Sequence, residues 1–276
     1  MLRAIILGAV QGLTEFLPVS SSAHLVLVPY LLTWGVDNPI PGVDIFAFDV
    51  AVHVGTLVAL LLYFRRDLAA IVGGSWRAAR GSRETDDRAE LRMLGMLAIG
   101  TVPAALAGIL LKDFFEGTFK SPEWTAVQLL GTALLLVAAD KMHDRRADHR
   151  GFETVGVTDA LVIGSMQALA ILPGISRSGA TIAGAMARGI GREASARFSF
   201  LLSIPAIAGA ALITLPDLGG TPSWGPVIVG TVVAGVFGFA SIAFLLRYLK
   251  SNPLRPFAVY CVVLAIASLA FWAQVK

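Results

Sequence analysis

The sequence predicts an all-α polytopic membrane protein with about six transmembrane helices and two re-entrant helical hairpins, arranged as an inverted internal repeat. Three observations predict this fold. Of the 276 residues, 56% are hydrophobic and only 15% are charged, whereas soluble domains carry roughly 25% charged residues. Six apolar segments approach the ~20 residues that a spanning helix needs. Two pairs of shorter apolar segments each meet at a polar turn rich in serine.

The six predicted spans fall into two groups of three. They are residues 44–64, 93–111, 122–139, 198–216, 226–246 and 256–273. The first span contains Asp44, Asp49 and His53, and ionisable side chains at membrane depth are expected to face protein rather than hydrocarbon. The segment 65–92 is the only long hydrophilic insert, and its arginine and acidic residues predict a cytoplasmic loop.

Four other apolar stretches are too short to cross a bilayer and form two pairs. Residues 4–34 contain the first pair, which breaks at the sequence PVSSS at 18–22. Residues 160–190 contain the second, which breaks at PGISRSG at 173–179. Short apolar helices that meet at a polar turn are typical of re-entrant hairpins that enter and leave on the same side. The alternative is that each pair forms one kinked span.

The distribution of basic residues distinguishes these two interpretations. If neither pair crosses, one side of the membrane receives seventeen of the 22 Lys and Arg residues and the other side receives four. Those four are Arg3, Lys112, Lys120 and Lys276. Positive charge concentrates in cytoplasmic loops, so both termini are predicted to lie outside. A crossing by one pair alone would scatter the charges, and the re-entrant hairpins are therefore favoured.

The two parts of the chain, 1–150 and 151–276, are predicted to be repeats within a single membrane domain. The sequence GAVQ at 8–11 precedes the first turn, and the similar GSMQ at 164–167 precedes the second. Each half contains one hairpin and three spans, and an odd number of crossings inverts the second half in the membrane. Binding sites in such folds form near the bilayer midplane between the halves. The two hairpin turns are therefore expected to meet.

The polar residues of the two turns predict a site for phosphate. Arg177 and Glu15 are costly at membrane depth unless paired or hydrated, so both are functional candidates. Helix N-termini after the two turns offer free N–H groups to an anion, and arginine can bind phosphate oxygens in a bidentate manner. The predicted phosphate-binding residues are Ser20, Ser176, Arg177, Ser178 and Thr181.

The same turns carry candidates for catalysis and for metal binding. Ser21 and His24 are one helical turn apart and predict a nucleophile with an acid/base, although attack by His24 or by an activated water stays open. Gln11 and Glu15 share a helix face and supply oxygen ligands suited to Mg²⁺ or Ca²⁺. A structural or indirect role is predicted for His53. The predicted catalytic residues are Ser21, His24, Glu15 and Arg177.

These sequences resemble the two signatures of the undecaprenyl-diphosphate phosphatase family, the bacitracin-resistance proteins. QGLTEFLPVSSSAH at 11–24 is similar to the first signature, PGISRSGAT at 173–181 is similar to the second, and FDVAVHVGT at 48–56 also looks familial. The resemblance runs along essentially the whole chain. It implies a bacterial inner-membrane enzyme that removes the terminal phosphate from undecaprenyl diphosphate and so recycles the lipid carrier for peptidoglycan synthesis.

The resemblance also implies which residues form the site and where it faces. The implied members are Glu15, Ser21, His24, Ser176, Arg177 and Thr181, and the implied active site faces outward, towards the periplasm. The first acidic position of the family is often Glu and is Gln11 here, and a neutral amide binds a divalent cation less strongly than a carboxylate does. The expected partners are undecaprenyl diphosphate and membrane lipid, with no nucleic acid and with a homodimer left open.

The rival function is a lipid-carrier flippase or transporter, because inverted repeats with broken helices are typical of transporters. A scaffold protein is a third interpretation, but it leaves the buried Glu15, His24 and Arg177 without a role. The absence of a P-loop, of GxGxxG and of Cys/His zinc spacing argues against a nucleotide-driven motor and a zinc hydrolase.

Overall fold

The computed structural model describes residues 1–110, 121–214 and 223–275, which contain eleven α-helices. They are α1 (Leu2–Phe16), α2 (Ser21–Leu31), α3 (Ile45–Tyr63), α4 (Arg65–Ala79), α5 (Thr85–Leu110), α6 (Pro122–Asp144), α7 (Val157–Leu169), α8 (Arg177–Ala187), α9 (Arg192–Thr214), α10 (Trp224–Tyr248) and α11 (Arg255–Val275). A short 3₁₀ helix, Phe152–Thr154, precedes α7.

Six of the described helices are long and apolar enough to cross a membrane. They are α3, α5, α6, α9, α10 and α11, which coincide with the six predicted spans. The chain is therefore a multi-pass, all-α membrane protein, and this part of the predicted fold class is confirmed. The predicted span ends at 111 and 215–216 lie outside the described residues, as do Lys112, Lys120 and Lys276.

Two pairs of shorter helices occupy the regions predicted as hairpins. α1 and α2 are joined by residues 17–20, and α7 and α8 are joined by residues 170–176. α2 and α8 each contain 11 residues and therefore rise only ~16 Å, about half of the ~30 Å hydrocarbon core. The helices lie within three residues of the predicted bounds, and re-entry on one side of the membrane stays a prediction.

The segment 65–92 is not a loop, and this part of the prediction is wrong. Residues 65–79 form α4, and α5 begins at Thr85. α4 is amphipathic and buries a narrow face that includes Ile71 and Gly74. Arg77 of α4 also donates a 2.8 Å hydrogen bond to Asp87 of α5. The high charge density of the segment is typical of a loop, but here it belongs to the exposed face of a helix.

The first helix of each short pair packs against a span from the other half of the chain. α1 crosses α10, and α7 crosses α5. A Cβ atom on Gly8 would overlap the carbonyl oxygen of Gly230, and a Cβ atom on Gly164 would overlap that of Gly100. Both crossings thus require glycine, because backbone meets backbone. The similarity of GAVQ to GSMQ is accompanied by equivalent packing in the two halves.

Ion pairs bring several arginine-rich segments to one end of the bundle. Arg192, at the start of α9, lies 3.0 Å from Asp140 and 2.7 Å from Asp144 in the last turns of α6. Arg255, at the start of α11, lies 2.5 Å from Asp144. These contacts place the α8–α9 and α10–α11 connections beside the end of α6, as expected for segments on the same side of a membrane.

Candidate active site

A cavity of about 410 Å³ opens where the turns of the two short helix pairs meet. The facing parts of α3 and α9 complete its wall. Its polar lining residues are Glu15, Ser20, Ser21, Ser22, Asp49, His53, Ser176, Arg177 and Thr214. Phe46, Val50, Ile207 and Ala210 belong to an apolar part of the wall. The cavity therefore joins a polar end, formed by both turns, to an apolar side formed by two spans.

Glu15 is the centre of the polar end, with a carboxylate that is buried at 7% exposure. Its Oε1 accepts a hydrogen bond of 2.6 Å from Arg177 Nη2. Its Oε2 accepts from Ser21 Oγ at 2.5 Å and from Gln11 Nε2 at 3.0 Å. His53 Nε2 lies 3.6 Å from the same Oε2. One carboxylate therefore fixes a hydroxyl and a guanidinium from different turns relative to each other.

Arg177 lines the cavity and keeps one guanidinium donor without a partner among the described residues. Its side chain is 16% exposed and pairs with Glu15 through Nη2. Its Nη1 is buried and has no hydrogen-bond partner among the described residues. A buried donor without a partner is costly, and a phosphate oxygen is the acceptor that guanidinium groups bind most strongly. Arg177 is thus prepared for an anion while it holds the carboxylate.

The two turns present helix N-termini to the cavity in nearly the same way. The hydroxyl of Ser20 caps α2 and that of Ser176 caps α8, each accepting from the N–H three residues on, at 3.3 and 3.0 Å. Each capping hydroxyl also lies 3.2 Å from the hydroxyl two residues on, which belongs to Ser22 or Ser178. The partial positive charges of two helix ends therefore converge on one space, which favours an anion.

His24, which was predicted to be an acid/base, does not face the cavity. Its Nδ1 donates to the carbonyl oxygen of Ser20 at 2.7 Å, and its Nε2 lies 2.7 Å from the hydroxyl of Tyr260. Both ring nitrogens are thereby engaged, and neither contacts Glu15. Ser20 has a φ of 68°, in a region that non-glycine residues seldom adopt. His24 and Tyr260 therefore hold a strained turn, and Tyr260 is a contributor that the sequence did not indicate.

His53 is the histidine that lines the cavity. Its Nδ1 donates to the carbonyl oxygen of Asp49 at 2.8 Å, which leaves Nε2 directed towards Glu15. Its side chain is 31% exposed, so a ligand can reach it. From the sequence, only a structural or indirect role was predicted for His53. The available signal was Asp49 and His53 four residues apart, on one face of an apolar span.

Ser178 and Thr181, predicted to bind phosphate, lie behind the cavity wall. Ser178 Oγ donates to the carbonyl oxygen of Leu17 at 3.0 Å and thus ties the two turns together. Thr181 is fully buried, and its hydroxyl contacts Ser199 Oγ at 2.5 Å and the carbonyl oxygen of Arg177 at 2.8 Å. Both hydroxyls are used in contacts within the protein, so they position the turn that carries Arg177.

The predicted metal ligands supply two oxygen donors. Gln11 is fully buried, and its Oε1 has no hydrogen-bond partner among the described residues. Glu15 adds a carboxylate one turn away. The described part of the chain contains no group of three or more His, Cys, Asp or Glu side chains that could hold a metal ion. A divalent cation held by these two donors together with phosphate oxygens and water, as Mg²⁺ commonly is, stays a prediction.

Comparisons with known proteins point to one family. Residues 4–267 match the family described as bacitracin resistance protein BacA. The undecaprenyl-diphosphatase of Alcanivorax borkumensis is 44% identical over 273 residues, which are 98% of this chain and 98% of that protein. The enzyme of the same name from Nocardioides sp. is 40% identical over 275 residues, covering 99% of this chain and 96% of that protein. The undecaprenyl-diphosphatase of Geobacter metallireducens is 42% identical over 275 residues, which are 98% of this chain and 97% of that protein.

Proposed function

The chain belongs to the bacitracin resistance protein BacA family, and we propose that it is a membrane phosphatase that hydrolyses undecaprenyl diphosphate to undecaprenyl phosphate and inorganic phosphate. The observation that carries the proposal is the contact of Glu15 with both Ser21 and Arg177 at a cavity where two helix N-termini converge. A nucleophile, its base and an anion-binding group are thereby brought to one point. The product is the lipid carrier that peptidoglycan synthesis uses again.

The diphosphate binds at the polar end of the cavity. The free Nη1 of Arg177, together with the N-termini of α2 and α8 beside Ser20 and Ser176, offers donors to the phosphate oxygens. These groups stabilise the charge that develops as the anhydride bond breaks. The prenyl chain of the bound substrate extends along the apolar wall near Val50 and Ala210. It passes between α3 and α9 towards the surrounding lipid.

Ser21 is the nucleophile of the proposed reaction. Its Oγ attacks the terminal phosphorus, its proton passes to Glu15 Oε2, and the bond to the departing undecaprenyl phosphate breaks. Water then attacks the phosphoserine while His53 Nε2 accepts a proton from it. Glu15 returns its proton to Ser21 Oγ, and His53 gives its proton to the inorganic phosphate as that product departs. Direct attack by water remains the alternative, and attack by His24 is disfavoured because both of its ring nitrogens are engaged.

A divalent cation belongs to the proposal as well. Mg²⁺ or Ca²⁺ would be held by Glu15 and by Gln11 Oε1 together with the phosphate oxygens of the substrate. When bound, the cation would neutralise part of the negative charge of the diphosphate. Because Gln11 contributes a neutral amide, the cation is expected to bind weakly in the absence of substrate.

The proposed location is the bacterial inner membrane, with the arginine-rich segments in the cytoplasm. Both termini and the cavity then face the periplasm. The charge bias and the ion pairs that gather these segments at one end support this orientation. Membrane lipid is the surrounding partner, and no nucleic acid is expected. The homodimer stays a prediction, which light scattering of the purified protein tests.

Phosphate release from undecaprenyl diphosphate by the purified protein tests the proposal. Arg177→Ala should lower the rate by about 10²–10³-fold, the effect of removing one preorganised donor to a developing anion. Arg145→Ala removes an exposed arginine outside the cavity and should leave the rate unchanged. Movement of intact lipid between leaflets of proteoliposomes, with no phosphate released, would instead identify a flippase. The family match supports hydrolysis and does not support that alternative.

A further inference from the structure

A groove and a pocket follow one another along α3 and α10, apart from the candidate active site. The groove has a volume of about 490 Å³ and an apolar lining that includes Gly55, Leu62, Gly235 and Phe239. The pocket has a volume of about 320 Å³ and lies at the ends of the same two helices. Both volumes fall in the ~300–1,000 Å³ range of small-molecule sites. An apolar channel therefore leads to a polar end.

The two cavities are adjacent along one face of α10. On α10 the lining positions advance by three or four residues, which keeps them on one face of the helix. They are Val232, Val236, Phe239, Ala243, Arg247 and, just beyond the helix, Lys250. Tyr63, at the end of α3, bridges the groove and the pocket with its ring centroid 5.3 Å from that of Phe239. A single elongated molecule can therefore occupy both.

The pocket carries basic groups that the protein does not neutralise. Arg197 is paired with Asp67 and lies 3.9 Å from Glu193, so its charge is balanced within the fold. Arg247 and Lys250 are exposed and form no ion pair with any residue that the structure describes. Arg197 Nε is buried and also has no hydrogen-bond partner in that part of the chain. The pocket thus has an excess of positive charge and unused donors.

We propose that the groove and the pocket together bind one anionic phospholipid, with an acyl chain in the groove and the phosphodiester at Arg247 and Lys250. A phosphodiester carries one negative charge and matches the excess charge of the pocket. A dianionic phosphate monoester would bring a second negative charge close to Asp67 and Glu193. Basic and aromatic side chains at the ends of spans are typical of the headgroup region, where anionic lipids attract them.

The site is separate from the active-site cavity. With 3.6 residues per turn, Gly55 and Leu62 lie about half a turn around α3 from His53, which faces the active site. Neither Arg247 nor Lys250 lines that cavity. Phospholipid can therefore bind here while the diphosphate occupies its own site, and the inference does not depend on the proposed function.

Native mass spectrometry of the full-length protein in neutral detergent tests the inference. The protein is titrated separately with phosphatidylglycerol, phosphatidylcholine and a polyprenyl monophosphate. Phosphatidylglycerol should bind at least about tenfold more tightly than phosphatidylcholine. The double variant Arg247→Ser/Lys250→Ser should bind phosphatidylglycerol about thirtyfold more weakly, because each basic side chain contributes roughly fivefold to anionic-lipid binding. Val236→Trp, which fills the groove, should also weaken binding.

Matched variants control for charge and for bulk. Lys141→Ser/Arg145→Ser removes the same two residue types from exposed positions near the end of α6, and Val263→Trp adds the same bulk to exposed α11. Both should bind phosphatidylglycerol as the unmodified protein does. Phosphate release should be unchanged in all four variants, so a failure here is distinguishable from a failure of the phosphatase proposal. Equal affinity for both phospholipids, or unaltered binding by Arg247→Ser/Lys250→Ser, would overturn the inference. Tighter binding of the polyprenyl monophosphate at these two residues would overturn the choice of lipid.

Discussion

Arg177 Nη2 lies 2.6 Å from Glu15 Oε1, although 162 positions separate the two residues in the sequence. The pair joins the first residue of α8 to the last turn of α1. Glu15 also accepts the hydrogen bond of Ser21, so the proposed anion-binding group and the proposed nucleophile are fixed through one carboxylate. Removing one member of a buried ion pair leaves the other charge without compensation. Stability and chemistry are therefore coupled at this contact.

Replacement of Arg177 should separate these two effects. Arg177→Met should lower the free energy of unfolding by about 3–5 kcal/mol, because the charge of Glu15 is left buried and unpaired. Adding Glu15→Gln should recover most of that loss in stability, while phosphate release stays at least as low as in Arg177→Met. Chemical denaturation in detergent gives the first quantity and a phosphate assay the second. A double variant no more stable than Arg177→Met would show that the unpaired charge is not the cause.

Ser21 is expected to form a phosphoserine. Ser21→Ala should lower the rate by on the order of 10³ or more, the loss typical of a removed nucleophile. Ser22→Ala is the matched control, since Ser22 has a single side-chain hydrogen bond among the described residues, to the capping hydroxyl of Ser20. It should change the rate by less than about tenfold. Mass spectrometry after acid quenching should detect phosphate on Ser21. An active enzyme that never carries this modification would favour direct attack by water.

The two membrane histidines should behave differently. His53→Gln should lower kcat by about 10²–10⁴ and remove one limb of the pH–rate profile, because it loses an acid/base at the cavity. Tyr260→Phe removes the hydroxyl partner of His24, so it should lower stability by about 0.5–1.5 kcal/mol and preserve the shape of the profile. Loss of the limb in Tyr260→Phe, with His53→Gln unaffected, would return the catalytic role to His24.

Removal of divalent cations should lower phosphate release, and Mg²⁺ or Ca²⁺ should restore it. Gln11→Glu should lower the cation concentration needed for half-maximal activity, because a carboxylate binds these ions more strongly than an amide does. Calorimetry with a non-hydrolysable diphosphate should show the same increase in cation affinity without turnover. Full activity after exhaustive chelation would exclude a required metal.

The glycine contacts between helices should be sensitive to a single methyl group. Gly8→Ala and Gly164→Ala should each lower stability by about 1–3 kcal/mol, because the added Cβ meets a backbone carbonyl. Gly95→Ala is the matched control in α5, where no atom lies within 4 Å of the added Cβ. It should be neutral or stabilising by up to about 1 kcal/mol. The melting temperatures of the three variants, measured in the same detergent, test this prediction. Equal changes in melting temperature for all three would contradict close packing as the cause.

Apolar length and turn residues are sufficient to predict the six spans and the four short helices. The contact of Glu15 with Arg177 was also predictable. An inverted repeat brings the two turns together near the bilayer midplane, where each of these buried charges needs a partner of opposite charge. The amphipathic helix α4 was missed because its apolar face is narrow and its charge resembles that of a loop. Burial of that face depends on α5, which only tertiary packing supplies.

The orientation of side chains at the site was less predictable. A spacing of three or four residues shows that two residues share a helix face, but it does not show which face meets the cavity. His24 therefore satisfied the sequence pattern while its ring contacts Tyr260, 236 positions away. His53 satisfied the same pattern and does line the cavity. Ser176 likewise lines the cavity, whereas Ser178 and Thr181 do not. The packing of α8 directs the hydroxyls of these two residues into the protein interior.

The glycine crossings of α1 on α10 and of α7 on α5 have a consequence for how the chain can evolve. Each half provides the span against which a short helix of the other half packs. The molecule therefore resembles an intertwined dimer fused into one polypeptide. Neither half is a smaller version of the enzyme, and truncation cannot yield a minimal one. A substitution that adds volume at one crossing requires a compensating change in the helix of the other half. The two halves are therefore constrained to diverge together.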